Sequence, residues 1–177
     1  SFDEASLSDL ADSIREHGII QPLTVRKLAS GYYQIIAGER RWRAARMAGL
    51  SEVPALVIEA DDQKAMELAL IENLQRRDLD FIEEAVGINQ LITMFGMSQE
   101  EAARRIGKSQ SAVANKLRLL KHSPRVLDAI RDAGLTERHA RALLKLPGEA
   151  EKLRTVETIA RMEMSVARAE RYIDELL

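Results

Sequence analysis

The spacing of apolar residues changes once along this chain, and that change fixes the kind of fold each part can adopt. Short runs rich in β-branched and aromatic residues, Leu23-Thr24-Val25-Arg26, Tyr32 to Ala37 and Ala55-Leu56-Val57-Ile58, lie between helical stretches in the first third. Beyond Asp61-Asp62 only helical spacing occurs. The first part therefore reads as a small α+β domain and the second as all-α. The boundary falls between Asp78 and Asp80, which assigns residues 1–79 to one domain and 80–177 to the other.

Within the first part, Leu7, Leu10, Ala11 and Ile14 have the i, i+3, i+4, i+7 spacing of a helix over Asp3–His17, and Gly18 supplies its stop. The turn Ala29-Ser30-Gly31 joins two strands into a hairpin whose end delivers Gly38. A helix follows from Arg40 to Met47, and another runs from Ala65 to Leu74. The entrance Gly38-Glu39-Arg40-Arg41-Trp42-Arg43-Ala44 combines a permissive glycine, the unpaired N–H groups of a helix start and three guanidinium groups. Anions are drawn to such a place. The same residues also fit a solvated basic helix start.

The second part contains a helix, a glycine turn and a helix. Ser98 and Glu101 suit a capping box, and Ala102, Ala103 and Ile106 line one face. After Gly107-Lys108-Ser109, either Ser109 or Ser111 can cap a helix whose buried stripe is Val113, Leu117 and Leu120. This is the helix-turn-helix pattern. The outer face of the second helix carries Gln110, Ser111, Ala112, Asn115, Lys116, Arg118 and, at its end, Lys121, an inventory of donors for base edges and phosphates. A plain helical hairpin with a solvated basic face fits the pattern too.

Net charge argues against a nucleic-acid partner only on average. The chain has 26 basic and 28 acidic residues, yet Ala102–Leu127 holds Arg104, Arg105, Lys108, Lys116, Arg118, Lys121 and Arg125 and no carboxylate. Further helices are expected over Pro124–Asp132, Glu137–Leu146 (carrying Arg138, His139 and Arg141), Glu149–Ala160 and Ser165–Leu177. In the last, Val166, Ala169, Tyr172, Ile173 and Leu176 form a stripe suited to packing against the preceding helices.

Several chemistries drop out. Without cysteine there is no disulfide frame, thiolate metal site or thiol catalysis, which also removes a sulfiredoxin-like enzyme. His17, His122 and His139 fall on separate elements, a poor basis for a metallohydrolase. No run of about 18 apolar residues reads as a membrane-spanning helix.

Three stretches, Gly18-Ile19-Ile20-Gln21-Pro22-Leu23, Gly38 to Ala44 and Glu72-Asn73-Leu74-Gln75-Arg76, stand in order ahead of the helix-turn-helix. Together they resemble the ParB family of chromosome-partition proteins along essentially the whole chain. The resemblance implies a domain that binds CTP with Mg²⁺ and hydrolyses it slowly, joined to one that binds a palindromic double-stranded DNA site. Gly38, Glu39, Arg40, Arg41 and Arg43 would hold the triphosphate, and Gly18, Ile19, Ile20, Gln21 and Pro22 would lie near the base. Glu72 and Asn73 would lie at the metal, with Glu72 a candidate for the catalytic base by position alone. The expected DNA contacts are Gln99, Lys108, Ser109, Gln110, Ser111, Ala112, Asn115, Lys116, Arg118, Lys121, Arg138 and His139.

Gln110, Lys116, Lys121 and Arg138, with Thr136-Glu137-Arg138-His139-Ala140-Arg141, resemble the nucleoid-occlusion branch rather than the partition branch, where the first position is usually Arg. Phe81 departs from the proline common in relatives. The resemblance further implies a dimer that engages through its N-terminal domains, a C-terminal dimerisation domain and an N-terminal membrane-targeting helix, the last two outside these residues. It also implies a cytoplasmic, nucleoid-associated protein. A DNA-binding adaptor with a vestigial nucleotide pocket remains the competing reading.

Overall fold

The computed structural model describes residues 4–177. The chain forms two compact units, Ser1–Asn73 and Leu74–Leu177. In the first, the order is α1 (Glu4–His17), β1 (Leu23–Lys27), β2 (Tyr33–Ala37), α2 (Glu39–Met47), β3 (Ala55–Val57) and α3 (Asp62–Leu74). The three strands form one sheet in the order β2-β1-β3, with β1 antiparallel to β2 and parallel to β3. Leu23 and Val25 of the central strand are buried, whereas Leu56 and Val57 of the edge strand are exposed. Helix α1 packs on α2 by enclosing Leu7, Ala11, Ile14 and Ala44. Arg26 joins the sheet to the start of α3: its Nε donates to Gln34 Oε1 at 2.7 Å and its Nη2 to Asp62 Oδ1 at 2.7 Å.

Helix α3 starts three residues before the expected Ala65. The Asp61 carboxylate accepts the Lys64 N–H at 2.7 Å, so the acidic pair that marks the change of period in the sequence also caps the helix.

The second unit contains α4 (Phe81–Thr93), α5 (Gln99–Ile106), α6 (Gln110–Arg118), a 3₁₀ turn (Leu119–Lys121), α7 (Pro124–Asp132), α8 (Glu137–Leu143), α9 (Glu149–Arg161) and α10 (Val166–Leu176). Side-chain caps punctuate it. Asp80, Ser98, Ser109, Ser123, Thr136 and Ser165 each accept a hydrogen bond from the N–H three residues on, worth about 1 kcal/mol apiece. The core gathers Ile82, Leu119, Val126, Ile130, Ala140, Leu143, Ile159 and Ile173. Ala169 and Ile173 are fully buried in it and Tyr172 packs against it, so this part of the α10 stripe faces inward, whereas Leu176 is exposed.

Three expectations need correction. Leu119, not Leu117, occupies the core: Leu117 on α6 is half-buried, and Leu119, where the chain tightens into a 3₁₀ turn, is fully buried. Helix α8 ends at Leu143 rather than Leu146, because the N–H groups of Leu144, Lys145 and Leu146 each reach back only three residues before Pro147. At Ser98, the hydroxyl accepts the Glu101 N–H at 3.0 Å while the Glu101 carboxylate lies 4.0 Å from Arg105. The capping box forms instead at Thr136, with His139 in the third position.

His122 is 3% exposed, and its Nε2 lies 2.8 Å from the Ala140 carbonyl. A carbonyl only accepts, so Nε2 carries the proton and Nδ1 is left buried without a partner among the described residues. Burial holds its pKa below the ordinary value, against the Ala140 bond that raises it; Lys152 lowers it further. The unfolded chain then binds the proton more readily than the folded one. The resulting stability is complete above the unfolded pKa of about 6.5 and declines as the pH falls below it. Thermal unfolding of the wild type should therefore shift to lower temperature between neutral and mildly acidic pH, and His122→Gln should flatten that dependence. An equally steep dependence in the variant would assign the acid sensitivity to other groups.

Candidate functional site

At the N-terminal site, backbone geometry comes first. Gly38 has φ 106° and ψ 22°, a left-handed conformation between β2 and α2 that lets the chain pass from strand to helix without a spacer. A Cβ there would stand 2.5 Å from Leu23 Cδ2 and 3.4 Å from the Arg41 guanidinium. No side chain caps α2, so its leading N–H groups are left to solvent or a ligand.

Each of the three arginines has a different anchor. Arg40 Nη2 donates to Ser6 Oγ on α1 at 2.7 Å, and Arg43 Nε donates to Glu39 Oε1 at 3.1 Å. Arg41 Nη1 donates to two successive carbonyls, Gln21 at 2.7 Å and Pro22 at 2.8 Å. These bonds bring Gly18–Pro22 against Gly38–Arg43, two stretches that the sequence separates by 15 residues (23–37). Both Arg41 bonds use Nη1, which directs the Nε and Nη2 edge of the fork elsewhere, where it suits a phosphate. Arg46 stacks on Trp42, 5.1 Å from the ring centroid, and steadies the outer side of α2. In the first stretch Gly18 is left-handed (φ 72°) and the apolar Ile20 is 87% exposed.

Glu72 and Asn73 are exposed on the last turn of α3. No group of three or more His, Cys, Asp or Glu residues with metal-holding geometry exists among the described residues. One carboxylate and one amide oxygen fit Mg²⁺ only as part of a shell completed by phosphate oxygens and water. The residues fit a metal that arrives with a nucleotide and not a standing protein cage.

In the second unit, Gly107 closes α5 in the left-handed region (φ 73°) and the Lys108 N–H returns to the Ala103 carbonyl at 2.9 Å. Ser109, and not Ser111, caps α6, accepting the Ala112 N–H at 3.1 Å. Gln99, Lys108, Ser109, Gln110, Ser111, Arg118, Lys121 and Arg138 are exposed; Ala112 and Asn115 are half-buried.

Two expected DNA contacts are placed differently. The Lys116 side chain is only 15% exposed, because its ammonium lies 2.7 Å from Glu137 and 3.5 Å from Glu84. His139 is 7% exposed and both ring nitrogens are occupied: Nε2 donates to the Met164 carbonyl at 3.0 Å and Nδ1 accepts the Thr136 N–H at 3.2 Å. His139 is thus a clamp that sets the start of α8, and Arg138 is the exposed cation beside it. Sequence reasoning missed Glu84 and Glu137 as partners of Lys116, since both lie outside the carboxylate-free window around the turn.

A mixed three-stranded unit with an arginine-rich helix entrance, followed by a capped helix-turn-helix with exposed polar and basic groups, defines a two-domain protein of the helix-turn-helix class. The ParB N-terminal domain matches residues 1–74 and the ParB HTH domain matches residues 77–177, and the chain belongs to the ParB family. It is 53% identical to the chromosome-partitioning protein Spo0J of Thermus thermophilus over 169 residues, covering 96% of this chain and 62% of that protein. It is 44% identical to the nucleoid occlusion protein of Geobacillus thermodenitrificans over 176 residues, covering 99% of this chain and 63% of that one. A solved structure of C-terminally truncated ParB from Caulobacter crescentus, complexed to the centromeric parS site, is 40% identical. It superposes with a TM-score of 0.84, over 99% of this chain and 90% of that one. The chain thus spans less than two thirds of the length of those two full-length relatives.

Gly38→Ala should destabilise the first unit by more than about 1 kcal/mol, since it adds a close contact to left-handed strain. Gly49→Ala has the strain (φ 81°) but open space around its Cβ, and should cost less in chemical denaturation. Equal costs would show that the approach of Gly38 to Leu23 is not a constraint.

Proposed function

We propose that this chain is the nucleotide- and DNA-binding part of a CTP-dependent clamp. The observation that carries the reading is the pair of hydrogen bonds that Arg41 Nη1 donates to the Gln21 and Pro22 carbonyls, which unites the two stretches assigned to the nucleotide. The arginine turn takes the triphosphate, Gly18–Pro22 lies by the base, and Glu72 with Asn73 completes the shell of a nucleotide-borne Mg²⁺. The choice of cytosine rests on family resemblance. Slow hydrolysis to CDP and phosphate resets the state. A ligand shifts a conformational equilibrium only by its differential affinity, so CTP must bind best when two N-terminal units are engaged. Palindromic DNA, which places two copies side by side, promotes that engagement.

Helix α6 with Arg138 reads the DNA. Gln at position 110 suits adenine, where Arg would suit guanine. Gln110, Lys116, Lys121 and Arg138 favour nucleoid occlusion, in which DNA position is coupled to cell division. Chromosome partition is the second reading, favoured by the 53% identity to Spo0J. Enrichment of duplexes from a random-sequence pool separates them. Recovery of the parS site as the preferred duplex supports partition, and a different palindrome supports nucleoid occlusion.

CTP turnover by the chain should rise when its preferred duplex is added and remain low with a scrambled one. Arg41→Ala should abolish CTP binding in calorimetry while leaving initial DNA recognition intact. Absence of triphosphate binding in the wild type would leave the adaptor reading in place. Gln110→Arg should shift base preference, changing discrimination by about 1–3 kcal/mol in competition binding; a uniform change on all DNA would limit position 110 to phosphate contacts.

A further inference from the structure

The charges around α6 form a chain across three elements. Lys108 Nζ lies 3.9 Å from Glu84 Oε1, and Lys116 Nζ lies 3.5 Å from Glu84 Oε2 and 2.7 Å from Glu137 Oε2. Arg141 Nη1 lies 3.4 Å from Glu137 Oε1. Glu84 stands on α4 and Glu137 opens α8, so the two carboxylates reach Lys116 from both sides. The central groups are sheltered: the Lys116, Glu84 and Glu137 side chains are 15%, 13% and 25% exposed. By contrast Gln110, Arg118 and Lys121 are exposed.

We infer that Glu137 is a specificity-determining residue of the DNA reader, acting through Lys116, which it holds back from indiscriminate contact with phosphate. This rests on the proposal that α6 reads DNA. A lysine ammonium is a flexible, strongly hydrated point charge, and by itself it would bind any phosphate in reach. Held at 2.7 Å from a half-buried carboxylate, it must give up that partner before it meets DNA. Exchange is favourable where a base edge or phosphate sits in the geometry of the cognate complex and unfavourable where the duplex is only loosely docked. The penalty therefore falls mainly on non-cognate DNA, in keeping with specificity as a difference between affinities. Glu84 divides its carboxylate between Lys108 and Lys116, and so positions the turn and the reading helix together.

The test measures affinity of the whole chain for its pool-selected duplex and for a scrambled duplex of equal composition, across a salt series. Glu137→Gln keeps the side-chain shape and removes the charge. It should tighten binding to the scrambled duplex by roughly three- to tenfold and to the selected duplex by less. It should also steepen the salt dependence on scrambled DNA by about one unit of slope. Because removing any carboxylate near DNA raises affinity, the same change is made in a Lys116→Met background, where the gain must disappear. Persistence of the gain without Lys116, an equal gain on both duplexes, or weaker binding by Glu137→Gln would each overturn the inference. If Glu137→Gln fails to fold, Glu137→Ala, which also removes the carboxylate, gives the same readouts. Should the pool yield no preferred duplex, the DNA-reading proposal fails, whereas a Lys116-dependent gain on scrambled DNA would still support Glu137 as the restraint.

Discussion

The N-terminal unit depends on one donor nitrogen. Arg41 Nη1 fills two carbonyls in succession, and those carbonyls belong to a turn that has no strand or helix of its own to hold it. A guanidinium is suited to this because its fork is planar and permanently charged, so one edge can serve the backbone while another serves an anion. The geometry that permits it is the left-handed Gly38, which brings the start of α2 close to Leu23 at the head of β1. Sheet, turn and helix entrance are therefore one object. A phosphate bound at the arginines would act on the Gly18–Pro22 turn through a single side chain.

The C-terminal unit uses charge differently. Exposed cations on α6 and the following turn, Arg118 and Lys121, stand beside sheltered ones, Lys116 and Arg141, that pair with acids from α4 and α8. The same pairs that restrain Lys116 also hold the reading helix between its neighbours. Caps at the helix starts, with His139 bonded to both Thr136 and Met164, make that frame rigid enough to present a few side chains in fixed positions.

Much of this was legible in the sequence because it is written in local patterns. Alternation located all three strands, and the serine caps located the starts of α5 and α6. The limits of local reading show at particular residues. Leu119 fills the core from a 3₁₀ turn that departs from the 3.6-residue period on which the stripe is drawn. The family resemblance puts His139 among the DNA contacts, but its third-position geometry makes it a cap. Lys116 fell on the outward face of a helical wheel, yet acids from two other helices converge there, and no pattern within α6 announces them. The arginine turn reads in the sequence as a candidate anion site, whereas its tie to Gln21 and Pro22 exists only in three dimensions.

The account's central claim is that the turn held by Arg41 and the entrance of α2 form one nucleotide site. Backbone amide resonances followed during titration with CTP and Mg²⁺ test it most directly. The claim predicts concerted shifts at Gly18–Gln21 and Gly38–Arg43, saturating at one ligand concentration. Shifts confined to other elements, or to one of the two stretches with the other unmoved, would contradict it.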